Sequence, residues 1–129
     1  MITVPVNLGE TMQGLARSEG MLELHNDALV LQIQSTDTVL EVIKSPVKSI
    51  RIPLESIEKA TFKKGWFGAR MELRLTDLKL LSKIPSAREG IVTLKVARRH
   101  RVDAEELYAL CNHKITDLRL QKVSDLMES

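Results

Sequence analysis

The amino-acid sequence predicts a mainly β domain of about seven antiparallel strands closed by one C-terminal helix, arranged as a small barrel or sandwich. Three observations carry that expectation. Short runs in which apolar residues alternate with polar ones recur between residues 20 and 98. Turn-forming groups separate them, among them Asn26-Asp27, Ser45-Pro46 and Gly65-Trp66-Phe67-Gly68. After Arg101 the apolar spacing changes to that of a helix.

The elements follow in order. Residues 1–19 are weakly patterned, with Val4 and Val6 around Pro5 and turn-prone Asn7, Gly9 and Gly14, and read as a lead-in with room for an edge strand. From Gly20, Leu22 and Leu24 alternate with Met21 and Glu23. Asn26-Asp27 then reverses the chain, and Leu29, Leu31 and Ile33 alternate with Val30 and Gln32, which predicts a hairpin. Residues 38–44 are β-branched enough for a further strand or an extension, and Ser45-Pro46 breaks it. Residues 47–52 resume as a strand that Pro53 ends by removing a backbone donor. Residues 57–63 form the next.

Gly65 and Gly68 bracket Trp66-Phe67 in a turn. The strand after it has the cleanest alternation: Ala69, Met71, Leu73 and Leu75 on one face, Arg70, Glu72, Arg74 and Thr76 on the other. Residues 78–84 read as another strand, 85–90 as a polar loop, and Val92, Leu94 and Val96 as the last strand. A helix over 103–118 follows, with Asp103 as its cap and Glu106 completing a variant capping box. Its stripe is Leu107, Leu110, Cys111, Ile115 and Leu118. In the tail, residues 119–129, Leu120, Val123, Leu126 and Met127 keep a helical period on a rotated face, so the tail either extends the helix or packs separately.

Composition bounds the function. A chain of 129 residues, 43% hydrophobic, fits one domain spanning 1–129, and burial of roughly two-thirds of its unfolded surface gives a core without covalent staples. A single cysteine, Cys111, excludes an intramolecular disulfide and suits a reducing compartment, so the expected location is cytoplasmic. The start has no signal-like pattern and no run is long enough to span a membrane, which leaves peripheral contact as the only expected membrane association.

The net charge of +2 conceals a division. Residues 44–101 hold fifteen Lys/Arg against five Asp/Glu, a balance of +10, and the remainder holds four against twelve, a balance of −8. Such asymmetry draws an anionic partner, or is two solvated faces, or supplies complementary surfaces for self-association.

The order of elements resembles the pleckstrin-homology (PH) superfold, and the residues resemble its bacterial PH-like and GRAM-like branch. The carriers are Gly20-Met21-Leu22-Glu23-Leu24 with Ala28-Leu29-Val30-Leu31, Ile52-Pro53-Leu54 with Ile57, Gly65-Trp66-Phe67-Gly68 before an alternating strand, and Val92-Thr93-Leu94 leading to Ala104-Glu105-Glu106-Leu107. The likeness covers about residues 14–115. It implies two near-orthogonal sheets, one end plugged by the helix, and a binding role without catalysis or cofactor. PH domains that bind phosphoinositides carry Lys and Arg around the first hairpin turn. Here the corresponding turn is His25-Asn26-Asp27, flanked by Glu23.

Two clusters are candidate sites. Lys63, Lys64, Trp66, Phe67 and Arg70 combine aromatics with cations at a hairpin tip, which suits insertion at an anionic lipid surface. The same residues also suit a tip whose aromatics fold back over an open corner. Arg98, Arg99 and Arg101 surround His100 and offer a phosphate or an acidic protein a dense positive cluster, or else pair with Glu105 and Glu106 as a solvated strand end. Arg70, Arg74, Lys95 and Arg98 form one stripe only if strand order brings them together, with Glu72 interrupting.

Leu120, Val123 and Met127 are the candidate self-association surface, with a protein partner or a second copy as the expected occupant. Nucleic acid is disfavoured, since only Trp66 and Phe67 could serve as stacking platforms. His25, His100 and His113 stand in unrelated contexts, Cys111 lies on the helix stripe, and no phosphate-loop, nucleophile-elbow or metal-ligand spacing occurs, so no metal, cofactor or enzymatic activity is expected.

Overall fold

The computed structural model describes residues 2–11, 16–37, 47–84 and 87–128. Its strands are β1 (Thr3–Thr11), β2 (Ala16–Leu24), β3 (Ala28–Asp37), β4 (Lys48–Pro53), β5 (Ile57–Lys64), β6 (Gly68–Leu75) and β7 (Ile91–Ala97), with helices α1 (Leu78–Lys83) and α2 (Arg101–Glu128). The seven strands are antiparallel and hydrogen-bonded in one sheet, in the order β4-β3-β2-β1-β7-β6-β5. The sheet is not closed: β4 and β5 are its edges. Its two halves meet where β1 pairs with β7 at one rung, Asn7 opposite Lys95.

The segment read as a lead-in is instead a central strand. Val4, Val6 and Leu8 are buried at a period of two, the signature of a half-buried strand. Pro5 lies within this strand, opposite Met21 of β2 and two residues from the single β1–β7 rung at Asn7. Consequently the first hairpin is β1–β2, and His25-Asn26-Asp27 is the turn of the second, closed by His25 N–H donating to the Ala28 carbonyl at 2.8 Å.

The expected strand at 78–84 is α1. Asp77 accepts the Lys79 N–H at 2.9 Å as its N-cap, and Leu80 and Ile84 are buried four residues apart while Leu78 is exposed. Four apolar residues in seven fit either period, and the cap decides. The strand expected at 38–44 lies outside the described residues.

Helix α2 differs from the expected 103–118 at both ends. A 3-10 turn, Arg98–His100, runs straight into it, so Asp103 sits within the first turn and does not cap it. The carboxylate still meets the positive end of the helix dipole. At the other end the helix continues through the tail to Glu128. Its buried stripe is Ala104, Leu107, Cys111 and Ile115, with Leu118 packed against the core, whereas Leu110 is exposed.

That stripe covers the apolar face of the sheet, where Leu22, Leu29, Leu31, Ile52, Met71, Leu73 and Leu94 are fully buried. The helix also guards an edge. The Tyr108 hydroxyl donates to the Ala60 carbonyl at 3.3 Å, and the Arg119 guanidinium donates to the carbonyls of Ile57 and Glu58, all on β5. Stacking of Phe62 on Tyr108, with ring centres 5.5 Å apart, fixes the same contact.

Candidate functional site

The site is built at the β5–β6 hairpin. Gly65 N–H donates to the Gly68 carbonyl at 2.7 Å and closes the turn, which leaves Trp66 and Phe67 at its tip. Glycine is required at 68: a Cβ there would lie 2.2 Å from the Val96 carbonyl oxygen of the neighbouring strand. Trp66 is 76% and Phe67 87% exposed, so neither folds back to cover a corner.

The cations around this tip divide into two groups. Three of them brace it. The Arg98 guanidinium lies over the Trp66 ring, 5.7 Å from its centre, Arg101 Nη1 donates to the Gly65 carbonyl at 2.9 Å, and Lys64 Nζ pairs with Glu105 at 3.0 Å. The start of α2 thereby holds the hairpin. Thus Lys64, and not the arginine cluster, takes Glu105.

The second group is a row across three strands. Lys63 on β5 is opposite Arg70 on β6, and Arg70 is opposite Lys95 on β7. Directly opposed residues point to one face, here the face away from the core, and all three are exposed. Among the described residues no carboxylate pairs with any of them. Two like-charge contacts, each unfavourable by about 0.2–1 kcal/mol, therefore stand uncompensated. An open depression of about 490 Å³ lies between this row and the aromatic tip.

Arg74 does not join the row, because the Glu72–Thr93 rung separates it from Arg70. Of the stripe that the sequence allowed, Arg70, Arg74, Lys95 and Arg98, the register brings Lys95 to Arg70. Its signal is the β6–β7 register, which no local pattern reveals. Arg99 stands apart from the hairpin: its Nε donates to His100 Nε2 at 3.1 Å.

His25 is 3.3 Å from Glu23 and His113 is 3.4 Å from Asp117. Among the described residues no group of His, Cys, Asp or Glu is placed to hold a metal. Burial pushes the Cys111 thiol up to about 11, which disfavours the nucleophilic thiolate at neutral pH. Among the described residues no helix is long and apolar enough to cross a membrane. Leu120, Val123 and Met127 are exposed along the last turns of α2, past the buried stripe.

No family model, curated protein or solved structure matches the chain.

Proposed function

We propose that the chain is a PH-like, non-enzymatic binding module that works in the cytoplasm, at the surface of an anionic membrane, through the tip of the β5–β6 hairpin. The observation that carries this reading is the pairing of two exposed aromatics, Trp66 and Phe67, with a row of uncompensated cations, Lys63, Arg70 and Lys95. Aromatic rings favour the headgroup region, and each basic residue near an anionic leaflet contributes roughly 1 kcal/mol. Bracing by Arg98, Arg101 and Lys64 holds the turn and the Trp66 ring in place and so lowers the ordering cost of binding.

The PH-like part of the reading is supported by seven antiparallel strands followed by one helix whose apolar stripe packs on the sheet. A single rung joins β1 to β7, the place at which such a sheet would divide if it formed the two crossed layers of that superfold.

Vesicle flotation tests the function. Binding to anionic but not neutral vesicles, weaker at near-physiological than at low salt, is expected. Absence of binding at both salts would sink the membrane reading.

A second reading has its own observation. Leu120, Val123 and Met127 are 63%, 53% and 82% exposed on one face at the end of α2, and such a face suits a protein partner or a second copy of the chain.

A further inference from the structure

A cleft of about 400 Å³ opens on the same side of the molecule, at the junction of β1 and β7, and shares Lys95 with the cation row. That volume is at the small end of ligand sites. Its walls differ in chemistry. Lys95 of β7 and Arg99 and His100 of the following 3-10 turn make one wall, while Glu19 of β2 and Gln32 and Gln34 of β3 make the other. Asn7 lies between them.

The hydrogen bonding of the cationic wall leaves donors for a ligand. Arg99 Nε is spent on His100 Nε2, which sets that imidazole nitrogen as an acceptor and holds the guanidinium beside it with its Nη groups uncommitted. Asn7 Oδ1 accepts the Gly9 N–H at 2.7 Å, which fixes the amide and leaves its NH2 group to donate. Lysine, arginine and an amide NH2 converging on one space are the donors an oxyanion needs. The opposite wall suits hydroxyls, since the amides of Gln32 and Gln34 both donate and accept. A bare anion would meet only the cationic wall and a neutral polyol only the amide wall, while Pro5, Val6, Met21, Ile33, Val47 and Ala97 line the rest of the cleft.

We infer that the β1–β7 cleft binds a phosphorylated polyol, with phosphate on Lys95 and Arg99 and hydroxyls on Gln32 and Gln34. The inference rests on the membrane reading only in taking a lipid headgroup as the carrier of that group. Phosphoglycerol is the smallest such ligand, and it occurs both as free glycerol phosphate and as the headgroup of phosphatidylglycerol.

Two measurements on the full chain separate the sources. In an amide NMR titration, glycerol 3-phosphate is expected to shift residues around Asn7, Gln32, Lys95 and Arg99 at lower concentration than inorganic phosphate or glycerol at equal ionic strength. In flotation, vesicles of phosphatidylglycerol are expected to retain more protein than vesicles of phosphatidylserine, which carry the same net charge. Arg99→Gln, at an exposed position, should weaken glycerol phosphate by about tenfold and abolish the lipid preference while thermal stability is unchanged. Glycerol phosphate that behaves like inorganic phosphate, or shifts nothing, overturns the cleft assignment whatever the vesicles do. Cleft shifts without binding to any vesicle keep the cleft and overturn the lipid carrier together with the hairpin reading. Equal binding to the two lipids with cleft shifts makes the free phosphate ester the ligand and leaves the hairpin reading standing.

Discussion

The Arg98 guanidinium sits over the Trp66 ring, 5.7 Å from its centre, and so joins the start of α2 to the tip of a hairpin distant in sequence. The contact assigns Arg98 a supporting role and leaves the outer part of the ring exposed.

Trp66→Ala therefore separates function from folding. Removal of a ring that is 76% exposed costs the cation–π contact, about 0.5–1 kcal/mol, and little else. Binding to anionic vesicles should fall by about tenfold, since an aromatic of this size contributes more than 1.4 kcal/mol when it leaves water. Flotation and thermal melting of the same variant check both halves.

Arg70→Glu should move stability and binding in opposite directions. A carboxylate at this position faces Lys63 on one side and Lys95 on the other, so two like-charge contacts become two ion pairs. Denaturant unfolding should show a gain of about 1 kcal/mol, the sum of two contacts relieved and two gained at the low end expected for exposed charges, and vesicle binding should be lost. Equal loss of both would mean that Arg70 holds the fold.

Cys111 gives the chain an alkaline limit. Its thiol ionises near 9.0 when unfolded but is pushed up to about 11 by burial, so between those values the unfolded chain releases a proton that the folded chain keeps. Stability is then full below pH 9 and declines as pH rises through this window. Cys111→Ala should flatten that decline in a pH series of unfolding curves. Alkylation of the native protein at neutral pH should be slow and should speed up in denaturant.

Substitution of Leu120, Val123 and Met127 together by Gln tests the end of α2. All three are exposed, so melting should change little, within about 0.5 kcal/mol per site. If a second copy covers this face, light scattering should find the parent chain dimeric at high concentration and the variant monomeric. A monomeric parent chain excludes the second copy.

Much of the sheet was legible because period-two burial and turn chemistry agree. Leu24 and Leu29 do flank the Asn26-Asp27 turn as a cross-strand pair, and Ala69, Met71, Leu73 and Leu75 are all buried. Where two signals conflict the reading failed. Pro5 and the neighbouring turn residues masked the alternation of Val4, Val6 and Leu8, and α1 depended on one cap at Asp77. The site was half legible. Trp66, Phe67 and Lys63 are adjacent in sequence, but Lys95 reaches them only through the pairing of β6 with β7, and which cations are already spent on Gly65, Trp66 and Glu105 depends on where α2 begins.

The Tyr108 and Arg119 caps on β5 also set a stoichiometry. At β5 the carbonyls of Ile57, Glu58 and Ala60 are already taken, so of the two edges β4 is the more open to a strand from another molecule. Two chains joined edge to edge at β4 would present their partly capped β5 edges outward. Pairing of that kind favours closure at two over propagation into a fibre.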